Sequence, residues 1–293
     1  MRNKITILML AAMLCLCTSC WLFCHTAIIA VDVRCSSKQQ AEAREVFIKR
    51  AESLWKVYES TDVTHGVFTI NYRGNDSLLN ILLMRQGRIH IAETYAQSEL
   101  LPMLMPVLAE IDSLRAGSDT SRRWLVGSAV NSPVIINSAK DQVSFIDSVF
   151  KSNMHLLPAD VAFYWVAKMV QQTEMAEMDY ELVALKLGHD DFVLNPESVK
   201  SCDVVKHKGS SRLAIELNEP YHKTWQRLTC NNIGKSLAVV IDGKVLVYLS
   251  VNSEIKKGHI EITGNFKYDD LLLIKAQMMG GELHCKGFVY DPS

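Results

Sequence analysis

The sequence predicts an α+β protein, and three observations carry that prediction. Apolar content of 48% with 22% charged residues over 293 positions is the composition of a folded chain with a sizeable core. Short runs that alternate apolar and polar residues, such as Leu213–Leu217, stand beside longer stretches with apolar residues at three- and four-residue spacing. The chain opens in the order strand, helix, strand, strand, the seed of a layered α+β unit.

Taken in order, "AIIAVDV" (27–33) predicts a strand. "KQQAEAREVFIKRAESLWKVYE" (38–59) predicts a helix with Ala43, Val46, Phe47, Ala51, Leu54 and Trp55 on one stripe. "HGVFTINYRG" and "SLLNILLM" read as two short extended stretches, and Gln86-Gly87 turns into the half-buried strand "RIHIAETY". A helix follows Pro102, with Pro106 in its first turns. "RAGSDTSRR" (115–123) is the best boundary signal. "PVIIN" reads as a strand and "SAKDQVSFIDSVFKS" as a helix with Ser138 as N-cap. "VAFYWVAK" and "YELVALKLG" are further strands.

The last hundred residues are the clearest. After the strand "RLAIEL" and a short helix packing Trp225 and Leu228 comes a hairpin, "SLAVVIDGKVLVYLS". Its first arm is apolar on both faces, as for a central strand covered twice. Asp242-Gly243 supplies the positive φ values of a type I′ turn. "HIEIT" is a strand, and "KYDDLLLIKAQMMGG" a helix with acidic residues first and Gly280 as its stop.

The N-terminus places Arg2 and Lys4 before an apolar run from Ile5 to Cys24, the pattern of an export signal, also just long enough to span a bilayer. Leu16-Cys17-Thr18-Ser19-Cys20 resembles a lipoprotein signal with Cys20 as the acylated residue; acylation and an uncleaved anchor helix both remain open. Four of the eight cysteines lie in this run. Cys35, Cys202, Cys230 and Cys285 form no C-x-x-C pair, and an oxidising compartment permits one disulfide among them, unassigned by sequence.

A net charge of −1 and the absence of a basic stripe argue against nucleic acid. No nucleophile, metal or nucleotide motif occurs, so no catalytic residue, metal or cofactor is expected. His189, Asp190 and Asp191 are the most ligand-like cluster and read as a solvated loop. His207 and His222 read as surface residues, and Glu93-Thr94-Tyr95 as a strand end. Met103, Met105, Met278 and Met279 read as core, with a polypeptide-binding surface as the alternative.

"WQRLTCNNIGKSLAVVIDGKV", "GHIEITGNF" and "MMGGEL" resemble the head of the large periplasmic P1 domain of SecD, a protein-export subunit. The matching positions are Leu228, Thr229, Asn232, Gly234, Lys235, Asp242, Gly243, Thr263, Gly264 and Phe266. Weaker similarity extends over about 27–290. The resemblance implies an α+β fold with a ferredoxin-like, split base and a second α+β head whose sheet, mixed or antiparallel, is packed by helices. It implies a signal or anchor (1–25), a base-like region (26–114), an intermediate α+β region (115–190) and a head-like subdomain (191–293). The motif residues would be structural.

The family continues into further membrane helices, and no second long apolar run follows here. The expected function is therefore a bacterial envelope protein, membrane-held through its N-terminus, with its bulk in the periplasm. It would bind unfolded secretory polypeptides or Sec translocon subunits without motor activity. The alternative is a repurposed SecD-like lipoprotein acting as adaptor or ligand-binding protein.

Overall fold

The structure is a computed structural model that describes residues 25–115, 124–127, 131–167, 179–188, 191–207, 210–264 and 266–289. The apolar run with Cys20, most of the 115–123 boundary, and His189 and Asp190 lie outside the described residues. The elements are β1 (His25–Val31), α1 (Ser37–Glu52), β2 (Lys56–Ser60), β3 (Val67–Arg73), α2 (Asp76–Met84), β4 (Ile89–Glu93), α3 (Gln97–Arg115), β5 (Trp124–Val126), β6 (Val134–Ser138), α4 (Val143–Ser152), β7 (Val161–Ala167) and β8 (Tyr180–Lys186). The chain continues with β9 (Phe192–Val193), β10 (Val199–His207), β11 (Ser210–Leu217), α5 (His222–Asn231), β12 (Ser236–Ile241), β13 (Lys244–Ser250), β14 (His259–Ile262), α6 (Tyr268–Gly280) and β15 (Gly287–Val289).

The base is an antiparallel sheet in the order β15-β1-β3-β2, carrying α1 and α2. This is the strand order of a ferredoxin-like βαββαβ unit, with all of the chain from β4 to α6 inserted before the last strand. Its core joins Ile29, Phe47, Phe68, Ile70 and Tyr72 to Leu283 and Cys285 from the far end of the chain. The expected division at 114 and 191 is therefore crossed twice by strand pairing. β4 leaves the base to pair with β12, and β15 returns to it.

Among the described residues the inserted part holds three more sheets, in the orders β13-β12-β4-β9, β5-β6-β8-β7 and β10-β11-β14. Every strand pairing in the four sheets is antiparallel. β12 is the pivot. Leu237 and Val239 enter a core with Trp225, Leu228, Ile260, Ile262, Leu271 and Ile274, while Ala238 and Val240 face Val166, Val183 and Leu185. None of these four β12 side chains is more than 2% exposed. A strand buried on both faces favours apolar residues throughout, as the run Leu237–Ile241 shows.

Five local readings change. The first helix stops at Glu52, and Lys56–Ser60 pairs with β3; Val57 gains a place against the base core that a longer helix would deny it. "SLLNILLM" is helix α2, capped by Asn75 Oδ1 accepting from Leu78 N–H (3.1 Å), with Leu78, Leu79, Leu82 and Leu83 buried. α3 begins at Gln97 and contains Pro102 and Pro106, both on its exposed side, where water reaches the carbonyls they leave unpaired. Ser138 is no N-cap: it ends β6 with its hydroxyl donating to Ala139 O (3.0 Å), and a 3-10 turn leads into α4. Finally, α6 runs through Gly280 and stops at Gly281, whose φ is 90°.

α6 carries apolar residues around most of its girth because it lies between base and head. Leu273 and Ala276 pack on Leu78 and Leu82 of α2, whereas Leu271, Ile274 and Met278 enter the head core.

Candidate functional site

The residues singled out by sequence gather at two ends of the β12–β13 hairpin. At its tip, Asp242 and Gly243 have φ of 49° and 76°, the left-handed values that a two-residue turn needs. The Asp242 carboxylate accepts from the backbone N–H groups of Gly87 (2.7 Å) and Arg88 (2.9 Å), so the tip of the head hairpin is pinned to the strand entering from the base. At its root, α5 ends at Asn232, which is buried and donates from Nδ2 to Glu93 Oε1 (2.6 Å) and Leu228 O (2.9 Å). Gly234 follows with φ of 78°, its N–H donating to Val251 O (2.8 Å).

Lys235 reaches from this root to Glu99 at the start of α3 (2.8 Å), and Lys186 lies 3.7 Å from the same oxygen. Partial burial works against the Glu99 carboxylate, but the hydrogen bonds from Lys235 and Ala96 N–H and the two lysine charges outweigh it and hold the acid below its ordinary range. Gly264 leaves room for the ring of Phe266, which a Cβ at 264 would meet at 2.6 Å; Phe266 caps the head core and Thr263 is exposed.

The other sequence candidates scatter. Glu93, Thr94 and Tyr95 turn to separate partners: Asn232, Ser236 O (2.7 Å) and Asp160 (2.7 Å) respectively. Burial, helped by the Asp160 carboxylate, pushes the Tyr95 phenol up to about 12. Asp191 stands 3.6 Å from His90 Nε2, and burial depresses the pKa of that imidazole. The His222 ring lies against Leu217 O (3.1 Å), and His207 ends β10. Met103, Met278 and Met279 pack in cores, while Met105 is exposed. Among the described residues no three His, Cys, Asp or Glu side chains are placed to hold a metal.

Two features go beyond what the sequence assigns. Arg50 of α1 is wholly buried and donates to four backbone carbonyls: Leu82 (2.8 Å), Arg85 (2.7 Å), Gln86 (2.7 Å) and Gly281 (2.6 Å). It thereby serves carbonyls at the ends of α2 and α6, one of which, Gln86 O, also accepts from Leu283 N–H (2.7 Å). Burial lowers its pKa to about 10, while Asp242 and Glu282 pull it back up. The second is a disulfide between Cys35 and Cys285, spanning 250 residues of sequence. A lone arginine on a helical stripe gives no sign of such a role; only the closure of the base brings those carbonyls together.

Both faces of β12 are covered, so no groove opens along it among the described residues. A cleft of about 1020 Å³ opens instead in the base, over the first half of α1 and the β2–β3 loop; Val33, Cys35, Gln40, Arg44, Asp62 and Gly66 are among its lining residues.

A family model described as SecDF, P1 head subdomain, matches residues 175–285, the stretch that holds β8 to α6 and the β12–β13 hairpin. Over this stretch the chain is similar to a SecD-type P1 head. SecD protein translocase subunits agree with it over shorter spans. That of Leptotrichia buccalis is 29% identical over 96 residues, covering 32% of this chain and 24% of its own length. That of Endomicrobium trichonymphae is 36% identical over 76 residues, 26% of this chain and 16% of its own. That of Rhodothermus marinus is 28% identical over 110 residues, 37% and 17% respectively. The matched stretch is thus no more than about a quarter of these relatives.

Two solved SecDF structures overlay the chain at 14% identity. One, described as a membrane component that enhances protein export, covers 92% of this chain and 99% of its own with a TM-score of 0.45. The other, in a super-membrane-facing form, covers 91% and 29% with a TM-score of 0.47. Asn232, Gly234, Lys235, Asp242 and Gly243 all lie within the matched stretch, around the β12–β13 hairpin. Among the described residues no helix is long and apolar enough to cross a membrane.

Proposed function

We propose that this chain is an accessory of protein export, held at a bacterial membrane by its N-terminal segment and facing the periplasm. It contacts translocating polypeptide or translocon subunits and performs no catalysis of its own. The observation that carries this reading is the SecDF P1 head match over residues 175–285, with the motif positions set around one hairpin. The Cys35–Cys285 disulfide supports an extracytoplasmic setting, because such bonds persist in oxidising compartments. The motif residues act by shaping the head: Asn232 and Gly234 set the entry to β12, and Asp242 and Gly243 set its exit.

The test is photo-crosslinking in cells from exposed head and neighbouring positions: Met105, Ile233 and Lys267. Tyr248 is unsuitable, since its hydroxyl is tied to Glu181 (2.9 Å). Translocon subunits or unfolded secretory chains among the products are the expected result. Capture of one unrelated envelope protein, without either, would replace export with an adaptor role on the same scaffold.

A further inference from the structure

The two sulfurs of the Cys35–Cys285 bond are not equivalent. Cys285 is 2% exposed and packed in the base core beside Leu283, whereas Cys35 is partly exposed and lines the cleft over α1. Thiol–disulfide exchange requires in-line approach of a thiolate to one sulfur, so access decides which sulfur is attacked. The cleft gives that access on one side only. Ser36, Ser37, Ala41 and Gly66, all small, are among its lining residues.

The bond also sits at a mechanical weak point. β15 joins β1 through three residue pairs, Ile29–Val289, Ala30–Phe288 and Val31–Gly287, and one further hydrogen bond from Asp32 N–H to Lys286 O (3.0 Å). A strand this short makes few backbone bonds of its own; Phe288 is more than half exposed, and Val289 is what packs it against the base core. The disulfide tethers it to the turn that leads into α1, and so closes the base where the inserted head returns.

We propose that Cys35–Cys285 is a redox latch, opened at Cys35 through the cleft by a protein dithiol, and that opening it frees β15 from the edge of β1. One thiolate of the dithiol attacks Cys35 Sγ. The bond to Cys285 breaks, and Cys285 leaves as thiolate and takes a proton from solvent. The partner's second thiol then attacks the mixed disulfide and releases Cys35, so the dithiol is oxidised as the latch is reduced. The latch is independent of the export reading, since it involves only the base.

The oxidised full chain is incubated, without denaturant, with a thioredoxin-type protein whose resolving cysteine is replaced by serine, and the trapped adduct is mapped by peptide mass spectrometry. Mixed disulfide on Cys35, at least tenfold over Cys285, is expected. Adduct on Cys285, or none until denaturant is added, overturns the proposal. Hydrogen exchange of the reduced wild-type chain supplies the second readout. Exchange at amides bridging β1 and β15, Asp32 among them, should quicken tenfold or more while β12 is unchanged. No change at β15, or equal quickening in β12, would make the bond a general staple instead of a latch.

Discussion

The head and the junction beneath it bury chain by opposite means. The head places an apolar strand, β12, between two apolar cores, so burial and sequence pattern agree from Leu237 to Val240. The junction instead gathers backbone carbonyls left over at helix ends and answers them with one charged side chain, Arg50. The first solution tolerates exchange among hydrophobic residues of similar volume. The second depends on one planar group with donors pointing several ways, which no other side chain reproduces. The lesson is that a fold with an inserted subdomain is held at its seam by polar geometry, away from the cores that make each part stable.

That contrast can be broken first at Arg50. Arg50→Ala removes the arginine donor from four carbonyls, of which Gln86 O keeps Leu283 N–H, and the expected cost is about 3 kcal/mol in urea unfolding, at the level of breaking a buried charged network. Arg50→Lys should recover only part of this, since three donors on a single nitrogen do not span the same set. A loss under ~1 kcal/mol for the alanine variant would show the seam to be held by α6 packing alone.

In the head, Leu237→Ala removes a fully buried side chain from the larger core, and a loss of about 3 kcal/mol is expected. Ala238→Leu, on the other face of the same strand, should cost about 2 kcal/mol by overpacking against Val183 and Leu185. If the second substitution is neutral, β12 is not tightly covered on both sides.

Asp242→Ala lies where the two regions meet. It removes an acceptor for two N–H groups and places a less suitable residue at positive φ, so a loss of about 2 kcal/mol is expected. Asp242→Asn should lose less than half of that, because asparagine keeps an acceptor oxygen and tolerates the left-handed conformation.

The smallest effect belongs to Lys235. The Glu99 pKa is lower folded than unfolded, so its ionised form stabilises the fold above the ordinary carboxylate range, and that stability is lost as pH falls through the folded value. Lys235→Ala should therefore cost about 0.5 kcal/mol at pH 7, and the difference from wild type should shrink below about pH 4. Thermal melts of both chains across this range check the sign; a difference that grows in acid would contradict the pairing.

Much of the head is legible in the amino-acid sequence. The alternation Leu213, Ile215, Leu217, the doubly apolar run 237–241 and the Asp242-Gly243 turn each state a local geometry that the fold keeps. The base is harder to read. "SLLNILLM" is too short and too uniformly apolar for periodicity to separate helix from strand, and Lys56–Ser60 follows a helical stripe without a stop signal. Local pattern reports what a segment can form; which option wins at such places depends on the partner it meets.

Sequence alone suffices for the α+β class, the hairpin and its turn, and the resemblance of the head, because these rest on contacts between residues near in sequence or on side-chain alternation. Three other features exist only in the folded chain: β15 completes the base, Cys35 pairs with Cys285, and Arg50 answers four carbonyls. The first two, and the Arg50 bond to Gly281, join residues whose separation is set by the whole insertion. No periodicity encodes a meeting across such distances, and the hydrogen-bonding demand of a buried helix end becomes visible only once water has been excluded from it.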